Sequence, residues 1–141
     1  MSDMIRISAV TLRISDMRRS CDFYNQIPGF KLVYGGSVND SFSTFQSGNI
    51  QNPVYLNLEL INNTDIRNPN KDNDRMYFGR IVFHVDDVDK LYLYFRNSRE
   101  ISKIISFEHP PRDAPWGERY FHIREPDGYE LSFAKPIEKE T

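Results

Sequence analysis

The sequence predicts an α+β fold made of two tandem β-α-β-β-β modules within one domain, residues 1–141. Three observations carry that prediction. A length of 141 residues suits one domain and buries enough surface for a core without staples. A series of positions recurs at an offset of 71 residues: Ile14-Ser15-Asp16-Met17 answers Val85-Asp86-Asp87-Val88, Leu12 answers Phe83, and Phe23-Tyr24 answers Tyr94-Phe95. Each copy also runs in the same order, with an alternating apolar strand, an acidic cap, a helical stretch and further short strands.

Module one covers residues 5–61. Val10, Leu12 and Ile14 alternate with Ala9, Thr11 and Arg13, the period-two pattern of a half-buried strand. Ser15 or Asp16 caps a helix whose apolar face is Met17, Cys21 and Tyr24, and which ends before Pro28-Gly29. Strands are expected over 30–34, 41–46 and 54–61, with Gly35-Gly36 as a hairpin turn. The Asn- and Asp-rich stretch 62–78 cannot bury itself and reads as a linker. Module two covers 79–135. In it Ile81, Phe83 and Val85 oppose Arg80, Val82 and His84, and Asp86 or Asp87 caps a helix that buries Val88, Leu91 and Phe95. Strands follow near 103–108, 118–124 and 129–134, the last two joined by a Pro126-Asp127-Gly128 turn, before a frayed tail at 136–141.

Composition narrows the function. A formal charge of −2 offers no field for nucleic acid or anionic membranes. The 8 Tyr and 10 Phe supply a core despite a 39% hydrophobic content, which excludes a wholly disordered chain. A lone cysteine, Cys21, rules out an internal disulfide and a Cys-based zinc cage, and on a helix face it reads as core rather than nucleophile. The N-terminus lacks an apolar signal region and no run approaches 18 apolar residues, so the expectation is a cytoplasmic protein with no membrane segment.

The S-D-x-x-x-S-x-x-F-Y opening at Ser15–Tyr24, Pro28-Gly29-Phe30, Gly117-Glu118-Arg119 and the Glu125-Pro126-Asp127-Gly128-Tyr129 turn together resemble the vicinal oxygen chelate superfamily. That group includes glyoxalase I, bleomycin-resistance proteins, fosfomycin-resistance enzymes and extradiol dioxygenases. The similarity runs over about residues 5 to 135. It implies a cupped mixed sheet with helices outside and a ligand on the concave face. By strand parity that face takes Arg13, Asn57, Glu59, Arg80, His84, Tyr120, His122 and Ser132 as candidate ligand-binding residues, with Glu130 among them, while one residue of slip would invert each set.

The resemblance also implies four positions for the ligands of a catalytic metal, and these fall on Ala9, Glu59, Arg80 and Ser132. Alanine has no donor atom, serine is a poor one and arginine is a permanent cation, so no metal and no other cofactor is expected. Arg80 and Glu59 are instead expected to pair where relatives hold the ion, and Arg80, Arg13 and His84 to make the cup cationic, suited to a small, anionic organic molecule. Tyr120, Tyr55, Phe42 and Trp116 would supply walls, with Trp116 on a stiff proline-rich loop and His109 an exposed loop residue. No catalytic residue is assigned. The competing reading is a glyoxalase-like lyase or isomerase that uses relocated ligands (His84, His122, Glu59, Glu130) or His/Glu acid–base chemistry, and a third is an interaction module with a vestigial cup. The resemblance implies homodimers as one arrangement, which the sequence leaves open.

Overall fold

The structure is a computed structural model and describes residues 5–48, 51–61 and 79–137. The expected linker and the last four residues of the expected tail lie outside these. The chain divides into two compact units, residues 1–69 and 70–141, and each opens with a strand and a helix followed by further strands, the second adding a short helix and a short strand.

In unit one, β1 (Ala9–Ile14), α1 (Met17–Asn25), β2 (Lys31–Tyr34), β3 (Phe42–Ser47) and β4 (Val54–Leu60) form a four-stranded sheet of order β1-β4-β3-β2 with one helix. β1 runs parallel to β4 and the other pairs are antiparallel. The helix starts where expected. Asp16 is its N-cap, its carboxylate accepting from the Arg19 N–H at 3.0 Å. Met17, Cys21 and Tyr24 are buried together with Ser20 and Phe23, against Leu12, Ile14, Phe45, Leu56 and Leu58 of the strands. Burial pushes the Cys21 thiol up, away from the reactive thiolate.

Unit two has β5 (Arg80–His84), α2 (Val88–Asn97), α3 (Arg99–Ser102), β6 (Ser106–Phe107), β7 (Arg112–Asp113), β8 (Glu118–Arg124) and β9 (Glu130–Pro136). The sheet order is β5-β9-β8-β6, with β7 also on β8 and β5 parallel to β9, as β1 is to β4. Asp87 caps α2 as Asp16 caps α1, accepting from the Lys90 N–H at 3.0 Å. Val88, Leu91 and Phe95 are its buried face, packed on Phe121 and Phe133 through edge-to-face rings 6.1 and 5.5 Å apart.

Three local expectations need correction. The strand near 103–108 shrinks to Ser106–Phe107, because Ile101 and Ile105 are buried at helical spacing and the chain makes α3 and a turn there first. The proline-rich loop holds a short strand, β7, whose Arg112 and Asp113 pair with Tyr120 and Arg119. The last strand runs on to Pro136, into the expected tail. Proline is tolerated there because β5 ends opposite Ala134, and only β8 flanks the strand beyond it.

Candidate functional site

Each sheet buries one face and leaves the other polar, with the parity the alternation predicts. In unit one the register sets Ala9, Thr11 and Arg13 beside Tyr55, Asn57 and Glu59, and these beside Gln46, Thr44 and Phe42. The middle rung is closed by hydrogen bonds. Asn57 Nδ2 donates to Thr11 Oγ1 at 3.2 Å and accepts at Oδ1 from Thr44 Oγ1 at 2.8 Å. Arg13 stands next to Glu59 in register, so Glu59 has an opposite charge beside it within its own unit.

In unit two the same parity places Arg80, Val82 and His84 beside Glu130, Ser132 and Ala134, and these beside Arg124, His122 and Tyr120. Here four charges close a ring. Arg80 lies 3.1 Å from Glu130 Oε2, Glu130 Oε1 accepts from Arg124 at 3.0 Å, Arg124 reaches Glu108 Oε1 at 3.5 Å, and Glu108 Oε2 returns to Arg80 at 3.4 Å. Each pair is partly exposed and worth at most about 1 kcal/mol, but a closed set fixes all four side chains at once. Within its own unit Arg80 therefore takes Glu130 and Glu108 as partners. Within this ring two carboxylates offset the two guanidiniums.

Next to the ring lies an aromatic strip. Trp116 stacks on Tyr120 with centroids 5.9 Å apart and planes at 29°. Tyr120 meets His122 at 4.8 Å and His109 at 5.1 Å, and His109 meets His122 at 4.8 Å. His109 is thus half-buried on the sheet face and not an exposed loop residue. Its Nδ1 lies 2.7 Å from the Pro110 carbonyl, which assigns the proton there, and its Nε2 is buried without a hydrogen-bond partner among the described residues. Trp116 is 69% exposed, yet its indole N–H donates to Glu118 Oε1 at 2.8 Å. The other Glu118 oxygen lies 3.4 Å from His84 Nε2. Arg112 covers Tyr120 from its guanidinium, 5.6 Å from the ring, and donates to its hydroxyl at 3.1 Å.

The expected residues therefore fall into two groups. Arg80, Tyr120, His122 and Ser132 share the unit-two face, with His84 at its border, whereas Arg13, Asn57 and Glu59 share the unit-one face. Ser132 is only 3% exposed and is the least accessible. Glu108, Arg112, Arg124 and Glu118 were missed. For Arg124 and Glu118 the signal was present, because they continue the alternation that picked out Tyr120 and His122.

His122 is held down to about 4 from its ordinary 6.5, first by burial and then by the positive charge of Arg80, with Glu108 opposing. It is a neutral imidazole at pH 7. Between pH 6.5 and about 4 the unfolded chain binds this proton and the folded chain does not, so its contribution makes stability fall as pH drops through that window. We expect His122→Asn to flatten this slope. Urea midpoints of both proteins at pH 4.5 and 7 check it, and equal slopes would contradict the assignment.

A model of the glyoxalase/bleomycin resistance protein/dioxygenase superfamily matches residues 6–133. The chain belongs to that superfamily. Solved structures agree on the fold. A glyoxalase-related enzyme from Fulvimarina pelagi is 20% identical, with a TM-score of 0.69 over 94% of this chain and 88% of that one. A family enzyme from Burkholderia phytofirmans PsJN is 16% identical, with a TM-score of 0.66 over 94% and 100% of the two chains. TioX from Micromonospora sp. ML1 is 17% identical, with a TM-score of 0.63 over 94% and 99%. No curated protein matches the sequence.

Superfamily membership raises the question of a metal. The donor set does not fit one. Ala9 has no donor, the Ser132 hydroxyl is buried, and Arg80 is a cation held by two carboxylates. Glu130, named in the relocated set, has a guanidinium on each oxygen. Among the described residues no three His, Cys, Asp or Glu side chains are grouped to hold an ion. A cleft of about 270 Å³ at the start of α2 offers no alternative, because Arg119 in its wall is already bonded to Asp89 and Asp113.

Proposed function

We propose that this superfamily member binds a small organic molecule on the open face of its second module, without a metal ion. The observation that carries the reading is Trp116. Exposing 69% of a tryptophan leaves a large apolar surface in water, and here the ring is fixed by a hydrogen bond and a stack, not left to rotate. A surface held in that way needs no rearrangement to receive a ligand. Beside it, His122 as a neutral imidazole and the edges of Arg80 and Arg124 supply polar anchors, the mixture typical of small-molecule sites. Sequestration requires no more than these.

The test is mass spectrometry of the purified protein under native and denaturing conditions, with metal analysis on the same sample. The expected result is a small molecule released on denaturation, metal well below one ion per chain, and loss of the bound compound in Trp116→Ala. Stoichiometric nickel, zinc or iron would overturn the metal-free reading in favour of a glyoxalase-like lyase or isomerase.

A further inference from the structure

We propose that the ligand of the second module is an uncharged planar ring compound, lying against Trp116 and Tyr120 and excluded in its ionic forms by the closed charge ring of Arg80, Glu130, Arg124 and Glu108. This rests on the small-molecule reading above and differs from the anionic ligand suggested by Arg80, Arg13 and His84.

The charge count argues for it. Both oxygens of Glu130 and both of Glu108 face a guanidinium, and each of the two guanidiniums meets both carboxylates. An anion that meets Arg80 or Arg124 also meets the carboxylates already held there, whose charge offsets the gain. A cation faces the mirror of that offset at Glu108 or Glu130. At the border Arg112 and Glu118 carry one charge of each sign, and both are engaged with the strip through Tyr120 and Trp116. The face thus balances three guanidiniums against three carboxylates. What it leaves in excess is flat aromatic surface, Trp116 on Tyr120, with His122 and His109 continuing it. A π-face ligand gains from offset stacking there without disturbing an ion pair.

The chain has one tryptophan, so its indole N–H gives a single resolved signal in a ¹H–¹⁵N correlation spectrum that reports on this site alone. Titrating the full chain at pH 7 with 2-naphthamide, 2-naphthoate and 2-naphthylmethylammonium compares one ring in three charge states. The amide is expected to move the indole signal saturably and to bind about tenfold more tightly than either ion. Glu130→Gln leaves one guanidinium charge in excess and is expected to close most of the gap between naphthoate and the amide. Either ion binding as well as the amide to the unaltered chain would overturn the proposal. So would an indole signal that none of the three moves. If that signal stays still while a compound co-purifies, small-molecule binding survives and the uncharged-ring ligand does not; if no compound co-purifies either, both fall.

Discussion

Phe133→Ala is expected to lower the stability of the protein by about 3–5 kcal/mol, the range for removing a fully buried phenylalanine ring. The ring is 0% exposed and lies where three elements meet. It stacks on Phe121 of β8 at 5.3 Å and Phe83 of β5 at 5.5 Å, and it meets the edge of Phe95 of α2 at 5.5 Å. Truncation removes the transfer energy of the ring and leaves a cavity that two sheet neighbours and a helix cannot all close, because β5 and β8 are pinned to β9 by their ladders. Thermal melting should fall by roughly 10 °C or more. Phe133→Leu, which refills part of the space, should recover roughly half of the loss. A Phe133→Ala protein within about 1 kcal/mol of the original would show that the unit-two core is not organised around this ring. Because Phe133 points away from Ser132 and Glu130 on the same strand, the variant also tests whether the polar face depends on the packing behind it.

The elements were legible in the sequence where burial is one-sided. β1, β4 and β8 alternate cleanly because one face meets a helix and the other does not, and Asp16 and Asp87 announce helices because a carboxylate ahead of an apolar stripe satisfies free N–H groups. Two-residue strands carry no period, so the bounds of β6 were not legible and β7 left no trace. Ile104-Ile105 looked like strand and instead follows α3. For the site, parity assigned faces correctly but not partners. The sequence pairs Arg80 with Glu59 because Glu108 is distant in sequence, and only the return of the chain beside His122, where the Glu108 N–H donates to the His122 carbonyl at 3.0 Å, brings Glu108 alongside Arg80. A charge can be placed on a face from sequence alone, but its neutralisation depends on the register of strands joined by long connections.

Glu125→Leu is expected to cost about 2–4 kcal/mol, through loss of the carboxylate oxygen that accepts from two backbone N–H groups. Glu125 is 2% exposed and opens the Glu125-Pro126-Asp127-Gly128-Tyr129 turn between β8 and β9. Its Oε1 accepts from the Asp127 N–H at 2.6 Å and the Tyr129 N–H at 3.2 Å, while its carbonyl accepts from the Gly128 N–H at 2.8 Å. Gly128 has φ +92°, the left-handed region in which a side chain is strained, so the turn combines a special backbone with a side-chain acceptor. Leucine matches the apolar burial but removes the acceptor oxygen that both N–H groups use, whereas Glu125→Gln keeps an acceptor oxygen and should cost about 1 kcal/mol or less. The comparison isolates the hydrogen bonds from the volume, and urea unfolding of the two variants side by side measures it. The consequence reaches the site, because this turn fixes the register in which Arg124 meets Glu130 and His122 meets Ser132. A one-residue slip would send His122 and Tyr120 to the helix side and Phe121 and Ile123 to the polar face. The Leu variant should therefore also shift the Trp116 indole signal, since that ring rests on Tyr120. Equal stability of the Leu and Gln variants would mean that Gly128 alone sets the turn.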